Sequence, residues 1–210
     1  MYPVSFEADA QLEGRNRLTT FFRYFVVIPW AIVAAIYGIG AYIAVIIAWF
    51  SIVFTGKYPD GLYNFNARFL RLISRIGGFQ NLLTDEYPSF DGDEHPEYPV
   101  RVGVPQQLGA YDRLKTGLRL IFGIPVILLA YVQGIILGVC ALIGWFAIVF
   151  TGRLSEGLFN PMRSASAYLA RANAYFLLMT EDWPPFSLEE GAAAPAGQIP
   201  TEAESRREPQ

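Results

Sequence analysis

A hydrolase needs a nucleophile and a base within reach of each other, and this chain offers one histidine for the second role. His95 sits in the stretch DGDEHPE, residues 91–97, between Glu94 and Pro96. Its neighbours Asp91, Asp93, Glu94 and Glu97 carry charge that could hold a cation loosely, but their spacing departs from that of an EF-hand loop. Nowhere do His, Cys and carboxylates recur at the spacing of a metal site. A solvated acidic linker accounts for the stretch. The paired acids Asp85-Glu86 and Glu181-Asp182 recur ahead of Tyr87-Pro88 and Trp183-Pro184. Catalytic carboxylates need burial or a partner that shifts them. Here the expectation is a turn whose acids pair with the arginines of nearby amphipathic helices. No catalytic, cofactor or metal residue is assigned, and the chain reads as a non-enzyme.

The glycine motifs carry little chemistry. TGKYPDG, starting at Thr55, lacks the G-K-[ST] ending of a phosphate-binding loop and follows an apolar run rather than a buried strand. Gly134 and Gly138 stand four apart in an apolar stretch, the small-xxx-small pattern of close helix contact. Cys140, the single cysteine, lies inside that stretch, where an apolar setting favours packing over reactivity.

What surrounds these residues is more telling. Of 210 residues, 53% are hydrophobic and 17% charged, against about a quarter charged in a soluble domain. Residues 24–54 and 120–150 contain no Asp, Glu, Lys, Arg or His. Each of these runs is 31 residues long, well beyond the roughly 18 that mark a candidate transmembrane helix. The chain therefore reads as an integral membrane protein. Basic residues flank the runs: Arg15, Arg17, Arg23 and Lys57 at the first, Arg113, Lys115, Arg119 and Arg153 at the second. Acids gather further away. With a net charge of −3 and no broad basic surface, nucleic acid is not an expected partner. The opening residues combine acids with no short apolar core, unlike a secretory leader.

WFSIVFTGKYPDGLYNF at Trp49 and WFAIVFTGRLSEGLFNP at Trp145 are close copies. An offset of 96 positions aligns Tyr2–Phe90 with Tyr98–Phe186 without a gap, with 30 identical pairs among 89. That is a tandem duplication of one folding unit. The divisions are residues 1–90 for the first membrane repeat, 91–97 for the acidic linker, and 98–187 for the second repeat. Residues 188–210, rich in Ala, Pro and Glu, read as a disordered tail.

Each unit opens on a short alternating stretch, VSFEA or VRVGV, that predicts a strand. The apolar run follows. It ends at Trp49-Phe50 and Thr55-Gly56, or Trp145-Phe146 and Thr151-Gly152. These eight residues read as a membrane hinge: threonine hydroxyls satisfy backbone groups at the helix end, and glycine lets the chain bend. Beyond it, Leu62, Phe65, Phe69, Leu72, Ile73 and Ile76 recur at helical spacing, with Arg68, Arg71 and Arg75 between them. Two readings stand for this amphipathic helix. It lies on the membrane with the three arginines on lipid, or it packs on its own domain. In the second copy Pro161 is expected to delay the helix start.

A straight 31-residue helix would be about 46 Å long, against a hydrocarbon core of about 30 Å. One reading is a single tilted span, anchored by Trp30 and Trp49. The other is a hairpin reversing near Gly38–Gly40, and near Gln133-Gly134 in the second copy. Basic short loops stay cytoplasmic, and both ends of both runs are basic, so the hairpin is favoured. The expected fold is all-α and membrane-embedded, with two tandem repeats of a hairpin or span plus an amphipathic helix, and short strands near the membrane surface.

The pattern RNRLTTFFRYFVVIPW…WFSIVFTGKYPDGLYNF…LLTDEYPSF resembles the bacterial membrane proteins grouped as domain of unknown function 4389, over both copies and nearly all of residues 1–187. The resemblance implies a multi-pass membrane protein and carries no catalytic or ligand residue with it. The functional expectation is a scaffold or accessory subunit contacting anionic lipid or a partner protein, in the inner cell membrane with cytoplasmic termini. An oligomeric channel or passive carrier lined by Gln133, Ser51, Tyr37 and Tyr42 is the alternative. Association with further copies of the chain is compatible with both.

Overall fold

Asn16 and Asp112 start the two halves' first helices by capping. The Asn16 side chain accepts from Thr19 N at 3.0 Å, and that of Asp112 from Leu114 N at 2.9 Å and Lys115 N at 3.1 Å. The computed structural model describes residues 2–185, so the expected tail lies outside the described residues. Helix α1 spans Arg17–Val26, α2 Ile28–Thr55 and α3 Asp60–Gln80. The second half contains α4 Arg113–Gly117, α5 Arg119–Phe122, α6 Ile124–Thr151 and α7 Glu156–Phe176. Strands β1 Ser5–Ala8 and β2 Val100–Gly103 precede α1 and α4. Both expected strands form.

Pro29 and Pro125 lie in the first turns of α2 and α6. Lacking an N–H, each interrupts the ladder behind it, so the preceding helices end at Val26 and Phe122. The expected reversals at Gly38–Gly40 and Gln133–Gly134 do not occur. Both helices run unbroken for 28 residues. A mid-helix glycine costs about 1 kcal/mol relative to alanine, far too little to break an otherwise intact ladder. Gly38 and Gly40 serve packing instead: a Cβ on Gly40 would come within 2.9 Å of the Phe65 ring, and one on Gly38 within 3.5 Å of Phe69. Pro161 does not delay α7 but lies inside it, near its N-terminus.

Those ring contacts show how α3 lies. Phe79 near its C-terminus faces Trp30, and Phe65 near its N-terminus stacks on Tyr37 at 4.8 Å. Hence α3 runs back along α2, and α7 packs in the same way on α6. Helices α3 and α7 also touch each other, and each carries one strand, β2 on α3 and β1 on α7. From Tyr63 to Phe79 the only fully exposed side chains of α3 are Asn64 and Arg68. The amphipathic helix therefore packs on its own domain.

The strands pair antiparallel with Phe6 opposite Val102. These residues are 96 apart, so a local two-fold axis passes between them, perpendicular to the strands. The same axis relates the long helices. The start of α1 lies against the end of α6, with Arg15 N donating to Gly152 O at 3.1 Å. Before α4, Tyr111 N donates to Gly56 O at 2.9 Å. Each half thus closes the other's long helix. The axis runs perpendicular to the long helices, and α2 and α6 point in opposite directions.

Burial divides the surface. Half of α2 is covered by α3; the other half is exposed through Ile32, Ile36, Ile39, Ile43, Ile46 and Ile47, each at least 41% accessible. Residues 17–55 and α6 are long and apolar enough to cross a membrane, and only 17% of each segment's most apolar window is buried.

Candidate functional site

At the end of α2 the hinge closes as a left-handed cap. Gly56 has φ 74° and Gly152 φ 72°, a conformation open to glycine at no steric cost. Each glycine N–H returns to the helix, to Ile52 O and Ile148 O, both at 2.7 Å. The Thr55 hydroxyl donates to Ser51 O at 2.7 Å and accepts from Lys57 N at 3.2 Å. Thr151 does likewise with Ala147 O at 2.6 Å and Arg153 N at 3.2 Å. The threonines satisfy terminal backbone groups that would otherwise lack partners.

The tryptophans reach across. Trp49 Nε1 donates to Thr116 O in α4, and Trp145 Nε1 to Thr20 O in α1, both at 2.9 Å. They join the halves to each other. Phe50 and Phe146 meet their tryptophan neighbours edge to face at 5.0 and 4.9 Å and remain about half exposed. Trp30 also bonds inward, to Pro88 O at 2.6 Å. Sequence spacing placed these rings at helix ends but held no signal for their partners.

Two buried arginines, expected from the sequence as part of the basic flanks of the apolar runs, form a second pair of contacts. Arg23 donates to Phe79 O and Thr84 O, and Arg119 to Tyr175 O and Thr180 O. Each guanidinium thus covers the carbonyl end of α3 or α7, where the helix dipole is negative. Leu82 and Leu178 follow with φ 64° and 61°, left-handed residues whose buried side chains anchor the reversal. The guanidinium of Arg23 stacks 4.5 Å from the Phe79 ring centroid, and that of Arg119 3.7 Å from Tyr175.

The acids Asp85 and Glu181 follow these turns, but their partners differ from the expectation. Asp85 pairs with Arg23 and, at 3.0 Å, with Arg15. It also accepts Asn16 N at 2.8 Å, and Glu181 accepts Asp112 N at the equivalent place. The partners come from the entry to each first helix because the turn returns there, not to the arginines of α3. Arg15 is pushed down to about 10 by burial, against the opposing pull of Asp85.

Arg68, Arg71 and Arg75 meet the acidic linker. Arg68 pairs with Asp93 at 3.2 Å, Arg71 with Glu94, and Arg75, 4% exposed, bonds Ser89 and Asp93 O. His95 lies between Asp91 at 2.9 Å and Glu97 at 3.2 Å, and these hydrogen bonds raise its pKa. Among the described residues, no three His, Cys, Asp or Glu side chains converge to hold a metal ion. A shallow depression of about 760 Å³ beside Asn64, Arg68 and Gln107 opens on this same side.

Of the residues suggested as a solute path, Gln133 is half-buried on α6. Tyr37 stacks on Phe65, Ser51 donates to Lys57 O, and Tyr42 is 69% exposed. A Cβ on Gly134 or Gly138 would meet nothing within 4 Å, so among the described residues that small-residue pair faces open space rather than a packed helix.

The family model described as "Domain of unknown function (DUF4389)" matches twice, over residues 17–91 and 113–187. The chain belongs to this family, in two tandem copies. No curated protein and no solved structure matches it.

Proposed function

From this membership and the site geometry, we propose that the protein is a non-enzymatic membrane scaffold or accessory subunit of the inner cell membrane, binding lipid or a partner protein. In this reading both termini are cytoplasmic. The observation that carries it is the exposed surface of α1, α2 and α6, built from large apolar side chains with so little of each apolar helix buried. Soluble monomers rarely expose contiguous apolar patches beyond a few hundred Å². The opposed glycine caps, tryptophan bonds and arginine contacts serve to hold that surface rigid.

The test is extraction and flux. Full-length protein in native membranes should resist high salt and alkaline carbonate and yield only to detergent. Release by salt or carbonate would refute membrane integration. Reconstituted vesicles should show solute leakage no faster than protein-free ones. A protein-dependent flux would replace the scaffold with the channel reading.

A further inference from the structure

We propose that the long helices lie flat in one leaflet of an anionic bilayer, with the two-fold axis along the membrane normal, rather than crossing it. This rests on the membrane reading above and adds the orientation and the surface used.

The first observation is length. Exposed large apolar side chains run from Leu18 through α1 and α2 to Phe54. The 39 residues of 17–55 would extend about 58 Å at 1.5 Å per residue, nearly twice a hydrocarbon core of about 30 Å. A helix in the plane of the membrane has no such limit.

The second is the level of the charges. The linker crosses α3 at Arg68, Arg71 and Arg75. That part of α3 lies beside Gly38 and Tyr37, well inside α2. Glu7, Asp9 and Arg101 stand on the exposed side of the strand pair, through which the axis passes. Upright helices would set this whole charged surface near the bilayer centre, where ionised groups are costly. Flat helices put it in water.

The third is a hydroxyl. Tyr42, 69% exposed, stands at the midpoint of α2. A phenol prefers the interface to the hydrocarbon centre. The in-plane pose places Tyr42 at the interface, and a crossing places it at the centre.

Charge complements the apolar face. Exposed Arg17 and Arg153 mark one end, and Lys57, Arg113 and Lys115 the other. The two ends are equivalent under the axis: Arg17 lies against Gly152 and Arg113 against Gly56. Such cations at an apolar helix surface suit anionic headgroups.

The experiment uses full-length protein carrying Cys140→Ala, with single exposed positions Ile32→Cys, Ile39→Cys, Ile46→Cys and Phe54→Cys spin-labelled in vesicles of mixed neutral and anionic lipid. Depth is read from collision with oxygen against a water-soluble relaxant. The expected result is four depths within about one helix radius, several ångströms. Lys57→Cys and Arg153→Cys should also react with an impermeant thiol reagent from the same side. A profile deepest at Ile39 and shallower by about 20 Å at Phe54, the rise expected for an upright helix, would overturn the proposal. So would labelling of the two ends from opposite sides. Either result leaves the membrane reading standing. Failure to float with vesicles removes both, and a soluble dimer with the apolar faces buried together does the same.

Discussion

Replacing Gly152 or Gly56 by alanine separates two effects of different size. The first is backbone strain, common to both, since φ is 72° and 74°. A side chain in the left-handed region costs about 1–2 kcal/mol. The second is local. A Cβ on Gly152 would sit 3.0 Å from Arg17 Nε and 3.3 Å from its Nη2. On Gly56 the nearest atom is Arg113 Nε at 3.4 Å, an ordinary contact. Arginine ends are flexible, so the extra cost at Gly152 is a few tenths, ~0.5 kcal/mol by comparison with typical off-rotamer costs. For a chain of this size each kcal/mol shifts Tm by roughly 2–4 °C. Gly56→Ala should therefore lower Tm by about 2–8 °C, and Gly152→Ala by slightly more. Arg17→Ala should remove the difference. Asparagine, which tolerates this region, should recover most of the loss at both sites. The assay is thermal unfolding in one detergent, with valine variants as the severe case. If Gly56→Val and Gly152→Val both melt within a degree or so of the parent, the left-handed cap is not a structural element.

Trp49→Phe and Trp145→Phe each delete one indole hydrogen bond between the halves and should destabilise by similar amounts, about 1–2 kcal/mol. Unequal losses in denaturant melts would show that the two sites are not equivalent. Arg23→Met leaves Asp85 to Arg15 and Asn16 N and strands the Thr84 carbonyl, while Phe79 O keeps the Leu82 N–H, and should cost about 2–4 kcal/mol. Arg119→Met strands the Thr180 carbonyl, while Tyr175 O keeps the Leu178 N–H, and should cost about 1–3 kcal/mol. An Asp85→Asn background should narrow that gap in thermal melts; an unchanged gap would exclude the ion pair as its cause.

Much of this architecture was legible in the residue order. The 96-residue offset placed both strands, both long apolar helices and both glycine caps. The reversal at Gly38 was misread because apolar pattern cannot tell a lipid from a neighbouring helix. Helix α2 is apolar on every side, and one of those sides is reserved for Phe65 and Phe69. The arginines of α3 posed the same problem with charge. Lipid phosphate and linker carboxylate are both anions, and only the position of residues 91–94 over α3 chooses between them. The reach of Trp49 and Trp145 left no local signal, because their acceptors are backbone carbonyls 67 and 125 residues away.

The exchange of contacts between halves also explains where the two copies are free to differ. A lone copy would leave its indole N–H and its Gly56 carbonyl without the partners that the other half supplies, so the hinge residues must match in both. The exposed faces of α2 and α6 need only stay apolar. The sheet side carries no such constraint, and there the copies part. Arg68 and Arg71 hold the linker acids in the first half, while the positions 96 residues on are Ser164 and Ala167. An apolar base that looks alike after a half-turn cannot tell a partner which way the molecule faces. On the proposed in-plane pose, the side bearing Arg68, Arg71 and the acidic linker is the one on which a partner would find the two halves different.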